Sequence, residues 1–449
     1  MNTEINIQTL LQTIQRLEAR IIILEAELAV YKNKKNSSNS HIPPSQDPNR
    51  PKKNQSLREA TNRKVGGQPG HEGNTLECSS KIDATIKHSP LECNSCGANL
   101  TNHDEELVST RQVLDIPVIE LKCIAHQVFK KQCSCGHTTL GNFPEYVTSP
   151  VQYGPNVESL VAYLHARQYL PYARTKELLN DVMGLSISTG GLHNIIQRIA
   201  QKALPMYNTI KEKIQQATCI GSDETGVNIN GKNHWAWTWQ NETLTYIVCS
   251  ASRGFKTIKE TFEDGLPNAT LIHDRWPCHF QMTTKAHQLC IAHLLRDLNY
   301  INELYKGKCI WATQLKNVLL DAIQLKKNLC TADYYYPNCK RDALFERLNE
   351  CLLYPIDELH KKSRTLQKKL IAKQEWILYF LKQSNVTPDN NGSERAIRNI
   401  KVKQKISGQF KTLETANIFA VLRSVIDTTI KNNKSVLTAL YLIATFGTE

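Results

Sequence analysis

The chain has 449 residues, 55 Lys+Arg against 42 Asp+Glu, and a formal net charge of +13. Its hydrophobic fraction of 41% excludes global disorder, its 14 cysteines are too dilute for a disulfide-stapled secreted scaffold, and its longest apolar run, Val436 to Phe446, is too short to cross a bilayer. With no basic segment followed by an apolar stretch at the N-terminus, the composition predicts a soluble intracellular protein of about three domains whose surplus charge suits a polyanion, nucleic acid first.

The clearest periodicity lies in residues 8–32. Leu10, Ile14, Leu17, Ile21, Leu24, Leu28 and Tyr31 alternate spacings of four and three, a heptad seam with leucine at d and Ile14, Ile21 and Leu28 at a. That pattern favours a parallel two-stranded coiled coil. The alternative is a helix packed on its own chain, which Ile22 and Ile23 keep open by widening the apolar face. From residue 36 to 77 the chain turns polar and rich in Asn, Pro and Gly, and cannot bury enough surface to fold alone. Its basic residues, including Lys52, Lys53, Arg58, Arg63 and Lys64, suit sequence-independent phosphate contacts, or else a solvated linker.

Residues 78–148 carry two cysteine knuckles, Cys93-Asn94-Ser95-Cys96-Gly97 and Cys133-Ser134-Cys135-Gly136, across a segment that reads as short strands. Thiolate pairs at tight glycine turns can close a tetrahedral structural zinc site, which makes this a zinc-ribbon-like candidate. Free thiols are the alternative, and His88, Cys123, His126 and His137 are possible substitute ligands. Residues 149–215 read as helices: VESLVAYLHARQY, then YARTKELLNDVM after Pro171, a stop at Gly184, and TGGLHNIIQRIAQKA capped by Ser186 or Ser188. That is a helix-turn-helix outline, a form equally common away from DNA.

Residues 216–293 switch to strands, ATCIGSDETGVNI, HWAWTWQ and TLTYIVCSAS, followed by the helix GFKTIKETFED and the strands ATLIHD and QLCIAH. A meander followed by helix–strand alternation predicts a mixed α/β sheet. Residues 294–387 are helical and Leu/Lys-rich, and 388–449 form basic helices. Asp223 and Asp274 each sit at the apolar end of a strand, where an acid must be paired, bind a cation or cap a turn. Glu224 should face the other side of its strand from Asp223. Glu394, in Asn390-Asn391-Gly392-Ser393-Glu394-Arg395, matches a capping box with Asn391 as N-cap. It also heads a basic track in which Arg398, Lys401 and Lys405 share its helix face.

These motifs, in this order, resemble the bacterial insertion-sequence transposases of family sixty-six. The likeness rests on the zipper start, Pro43-Pro44-Ser45-Gln46-Asp47, Gly66-Gly67-Gln68-Pro69-Gly70-His71, the cysteine knuckles and Gln152-Tyr153-Gly154-Pro155-Asn156. It continues through Ser222-Asp223-Glu224-Thr225, Cys290-Ile291-Ala292-His293 and Asn391-Gly392-Ser393-Glu394-Arg395-Ala396-Ile397-Arg398. The resemblance implies a multidomain chain with a coiled coil (1–35), zinc and helical DNA-binding regions, and an RNase H-like core. A helical insertion would precede core completion at 388–449. It implies a DDE triad of Asp223, Asp274 and Glu394 holding Mg²⁺ or Mn²⁺, with His293, Arg296 and Arg398 in support.

Structural zinc would sit on Cys93, Cys96, Cys133 and Cys135, and DNA would lie along the basic strap and Lys401 and Lys405. Two metal ions about 3.5–4 Å apart would serve strand cleavage and then strand transfer at terminal inverted repeats. The implied setting is a nucleoid-associated cytoplasmic homodimer, aided by accessory proteins of the same element. A catalytically inactive DNA-binding repressor and a purely hydrolytic RNase H-like nuclease are the competing readings.

Overall fold

The computed structural model describes residues 2–33, 35–36, 39–40, 70 and 76–446. The basic strap residues Lys52, Lys53, Arg58, Arg63 and Lys64 lie outside the described residues. The chain divides into two compact units, one of Lys52–Leu121 and one of Met1–Pro51 with Lys122–Glu449.

In the smaller unit the Cys93 knuckle closes as a tight turn. The amide of Gly97 donates to the Cys93 carbonyl at 2.9 Å, and an isolated bridge joins Glu92 to Asn99. The strands expected over residues 107–129, which run from this unit into the larger one, do not form: strand pairing begins only at Lys130. Their apolar side chains, Leu107, Val108, Val113, Ile116 and Val118 among them, are exposed, so the alternation has no partner face to bury against.

The larger unit opens with α1 (Asn2–Lys32). Its seam residues Leu10, Ile14, Leu17, Ile21, Leu24 and Leu28 are exposed, while Ala29 and Val30 in the last turn pack on a helical core described below. A hairpin of β1 (Lys130–Gln132) and β2 (Thr138–Leu140) carries the Cys133–Cys135 turn at its tip. Then come α2 (Pro155–Ala162), α3 (Tyr172–Met183), α4 (Thr189–Lys202) and α5 (Leu204–Gln216). The first expected helix is shorter than its apolar pattern, because a π-helical turn at Tyr163–Arg167 interrupts it. Gly184 ends α3 at φ 63°, and Ser188 caps α4 by accepting the Gly191 amide at 3.0 Å. The apolar stripe of α4, from Leu192 to Ile199, is buried in the main core.

The sheet follows: β3 (Cys219–Ile229), β4 (Lys232–Gln240), β5 (Thr245–Ser250), α6 (Phe255–Thr261), β6 (Leu266–His273) and β7 (Thr284–Leu289). Its order is β5-β4-β3-β6-β7; β3, β4 and β5 run as an antiparallel meander, and β6 and β7 add in parallel. The β3–β4 turn is Asn230-Gly231, both at positive φ, the geometry that twist-matched two-residue hairpins demand. Alternation within β4 puts the fully buried Trp237 and Trp239 on one face.

Next come α7 (Ile291–Leu304), α8 (Ile310–Asn328), α9 (Cys339–Leu353) and α10 (Lys361–Ile371), which build a second core capped by Trp311, Leu348 and Leu370. The strand read as QLCIAH stops at Leu289. Cys290 is instead the N-cap of α7, with its amide on the His273 carbonyl at 2.9 Å. The chain ends with α11 (Asn391–Ser407), α12 (Leu413–Lys431) and α13 (Val436–Phe446). Helix α12 is not a basic surface helix; its middle, from Phe419 to Thr429, is buried against β5 and the helical layer. Among the described residues no helix is long and apolar enough to cross a membrane.

The start of α11 lies hard against β3. A methyl group on Gly221 would stand 2.5 Å from Asn390 Oδ1, 2.7 Å from Gln240 Nε2 and 2.8 Å from Ser393 Oγ. Gly221→Ala is therefore expected to push α11 off the sheet and to destabilise the protein by about 1–3 kcal/mol, an overpacking cost that urea unfolding would measure.

Candidate active site

Asp223, Asp274 and Glu394 come from β3, the loop after β6, and the first turn of α11. Backbone contacts beside each acid join these segments. The amide of Asn390 donates to Cys290 Sγ at 3.3 Å, and its side-chain Nδ2 donates to the Ser222 carbonyl at 2.7 Å. The Cys290 amide in turn reaches His273, the residue before Asp274. Asn390, buried and also accepting from Ser393 Oγ at 2.7 Å, is the N-cap of α11. The expected capping box on Asn391 does not form, because the helix starts one residue earlier than the motif suggests. Glu394 is then the fourth helical residue, and its carboxylate does not cap the helix.

The carboxyl of Asp223 is pushed well above the usual carboxylate range by burial first, then by the negative charges of Asp274, Glu224 and Glu394. The Glu224 amide donates to Asp223 Oδ1 at 2.9 Å and offsets this in part. Asp274 accepts the Trp276 amide at 2.9 Å across Arg275, which holds a left-handed φ of 77°. Arg275 also pairs with Asp297 on α7, so both sides of this turn are tied down. Glu394 Oε1 has no hydrogen-bond partner and is faced by His293 Nε2 at 3.8 Å and Arg296 Nη2 at 3.7 Å. Arg398 and Lys405 are exposed further along α11. Lys401 is half-buried, donating to the Gly226 carbonyl, and lines a hollow with Gln404, Lys405 and Gly408. Neighbouring carboxylate oxygens that repel one another, with cations only at the Glu394 edge, are a donor set that a hard divalent cation takes.

Period-2 alternation separates Glu224 from this cluster. It sits cross-strand from Trp237 while Asp223 sits cross-strand from Thr238. Burial works against its charge. His279 and the Arg253 guanidinium outweigh that and hold its carboxyl below the usual range. Arg253 donates to Glu224 Oε1 through Nε at 3.0 Å and Nη2 at 2.9 Å. Its guanidinium lies 3.7 Å from the Trp276 ring centre and 4.6 Å from that of Trp235. Arg253 therefore braces the residue whose amide holds Asp274.

Among the described residues, His273, Asp274 and His279 bring ligand atoms within 4.8 Å of one another. Arg253 and His279 carry no sequence signal beyond their residue types, and Asn390 stands in the Glu394 motif without a sign of its contacts to β3 and Cys290. In the cysteine knuckles, the thiol of Cys93 is lowered by the amides of Ser95 and Cys96 and by the Cys96 side chain. That of Cys133 is lowered by the amide and side chain of Cys135 and by Ser134. The first pair belongs to the smaller unit and the second to the larger.

Comparison with known proteins gives the arrangement a context. Residues 150–418 match the transposase IS66 family, and residues 1–77 match a family of unknown function, DUF6444. No curated protein matches the chain. The matched stretch runs from the helical layer through the sheet and insertion into α12, and includes all three acids. Since it covers well over half of the sequence, the chain belongs to the IS66 family of transposases.

Proposed function

We propose that this protein is a DDE transposase that binds the terminal inverted repeats of its insertion sequence and carries out divalent-metal-dependent strand cleavage and strand transfer. The observation that carries this reading is the shared electrostatic neighbourhood of Asp223, Asp274 and Glu394, in which burial and the neighbouring negative charges push the Asp223 carboxyl well above its ordinary range. Membership of a transposase family supports the substrate class. The sheet order, a meander with two parallel strands added beside β3, supports an RNase H-like reading of the core.

Mg²⁺ or Mn²⁺ held by the three carboxylates would supply charge stabilisation for in-line attack and departure at phosphorus. Asp223 and Asp274 would hold the cation from the sheet side, and Glu394 from α11. His293 and Arg296 crowd Glu394 and orient it. Water would attack first, breaking the P–O3′ bond to leave a 5′-phosphate and a 3′-hydroxyl; that hydroxyl would then attack a target phosphodiester, lose its proton and displace the target strand's own 3′-oxygen, which leaves as a hydroxyl. The basic face of α11 with Arg398 and Lys405, the strap of residues 36–77, and the α3–α4 hairpin would bind DNA. The knuckle turns that lower the Cys93 and Cys133 thiols give each cysteine pair, Cys93 with Cys96 and Cys133 with Cys135, the thiolate character that structural zinc ligands need. The exposed heptad seam of α1 supports a homodimer that presents two DNA ends to two active sites.

Substitution of any acid, as Asp223→Asn, Asp274→Asn or Glu394→Gln, is expected to abolish strand transfer in Mg²⁺, by at least about a thousandfold, while leaving end binding intact. The assay uses the element's own ends. Cut but unjoined products from the wild type would identify a nuclease, and binding without either product a repressor.

Asp223 also sets a pH signature. Its folded-state value is raised, so the metal-free folded chain keeps a proton that the unfolded chain gives up, and stability falls as pH rises above the ordinary value of 3.8. Metal-free Asp223→Asn should match the wild type below about pH 4 and melt several degrees higher at neutral pH. Added Mg²⁺ should close that gap by stabilising the wild type. Leu17→Glu with Leu24→Glu should convert a dimer to a monomer in sedimentation equilibrium with little change in the melting of the core.

A further inference from the structure

The second residue of α11 is a glycine, Gly392, and nothing in its backbone requires one. Its φ is not left-handed, so a residue with a side chain would ordinarily be favoured in the helix there. What excludes a side chain is Gln240, the last residue of β4. A methyl group on Gly392 would overlap Gln240 Nε2 and stand 2.7 Å from its Oε1 and 2.8 Å from its Cδ. A methyl group on Gly221, cross-strand from Gln240, would meet the same Nε2 at 2.7 Å. Two glycines, one on the sheet and one on the helix, thus leave a slot that a single amide fills.

That amide is held at both ends. Lys431, at the end of α12, donates to Gln240 Oε1 at 2.8 Å. Its other two protons go to the carbonyls of Asn241 at 2.6 Å and Leu244 at 2.8 Å, in the turn between β4 and β5. Gln240 Nε2 donates to Ser393 Oγ at 3.4 Å, and Ser393 Oγ donates to Asn390 Oδ1 at 2.7 Å. Asn390 Nδ2 then donates to the Ser222 carbonyl at 2.7 Å. The hydrogen bonds run one way, from an ammonium on α12 to a carbonyl of β3. Flipping the Gln240 amide would set donor against donor at Lys431, so its orientation is fixed as well as its place.

We propose that Gln240 is a positioning residue for Glu394. Its amide sets how deeply, and at what rotation, the first turn of α11 seats on the sheet. Asn390 fastens the start of the helix, but a single anchor leaves the turn free to roll about it. Gln240 meets the next residues along, Gly392 and Ser393, and removes that freedom just before Glu394. The inference rests on the reading of Glu394 as a metal ligand. It extends the site to α12 through Lys431, so that groups which never touch the ion govern how tightly it is held.

The test is calorimetric titration of Mn²⁺ into the tag-free full-length protein. Gln240→Ala empties the slot and Gly392→Ala crowds it. Each should weaken Mn²⁺ binding about tenfold or more, with far-UV circular dichroism unaltered. In the double variant Gln240→Ala/Gly392→Ala the new methyl group takes the vacated space, and affinity should return to within about threefold of the wild type. A role in stability alone would lower the melting temperature of both single variants and leave Mn²⁺ affinity unchanged, which would overturn the proposal. A double variant that binds no better than either single one would overturn it too, because filling the slot would then not place Glu394. Glu394→Gln is the control. If it loses Mn²⁺ affinity while Gln240→Ala does not, this inference fails and the triad stands. If Glu394→Gln binds as the wild type does, or the wild type binds no Mn²⁺, the triad reading fails and takes this inference with it.

Discussion

The side chain of Asn390 donates to the Ser222 carbonyl, its amide donates to Cys290 Sγ, and the Cys290 amide donates to the His273 carbonyl. This short path fastens the start of α11 to β3 and β6 within one residue of Asp223, one of Asp274 and four of Glu394. Like charges do not gather of their own accord; at close range they cost several kcal/mol in a medium less polar than water. The path supplies the opposing force through groups that carry no charge, so the acids stay convergent whether or not a cation shields them. Gly221 belongs to the same constraint, since only a residue without Cβ lets Asn390 and Ser393 approach β3 so closely.

Alternation along β3 divides the acids by face. Asp223 and Gly221 look toward α11, whereas Glu224 looks toward the tryptophans of β4 and the Arg253 guanidinium. Two adjacent acids thereby acquire opposite character: burial and like charges push the Asp223 carboxyl up, whereas His279 and Arg253 hold that of Glu224 down against its burial. The Asp274 turn is where the two faces meet. Trp276 ties it to Arg253 on one side, and Arg275 ties it to α7 on the other. A strained residue at φ 77° persists there because both ends of its turn are fixed independently.

The elements whose cues are local were legible in the sequence: the Asn-Gly hairpin, the alternating tryptophans, the Gly184 stop and the Ser188 cap all fall where their residue types place them. The mixed sheet followed from those elements. What could not be read depends on partners far along the chain. Asn390 and Ser222 are 168 positions apart, and their contact, not the local motif, sets the first residue of α11. Cys290 looked like the end of an apolar strand, yet it accepts from Asn390 and caps α7, a role that only the assembled junction reveals. The apolar pattern between residues 107 and 129 misled in the opposite way, since alternation gives a strand only where a neighbour covers it.

The charge layout around the junction has its own logic. Glu394 stands in the first turn of α11, where the unpaired amides favour negative charge, and His293 and Arg296 add positive charge within 4 Å of it. Toward the other end of the same helix, Arg398 and Lys405 are exposed, while Lys401 is partly spent on the Gly226 carbonyl and Lys403 is buried against His165 and Leu170. The basic track is therefore not uniform: two of its cations lock α11 into the fold, and the outward ones are left for a polyanion. In the proposed reading, a negative centre that takes a cation, edged by positive charge on a helix fixed to the sheet, would suit a phosphodiester backbone brought up to a metal. It would repel that backbone without the metal, so the helix that carries Glu394 would also give DNA an electrostatic reason to lie beside it.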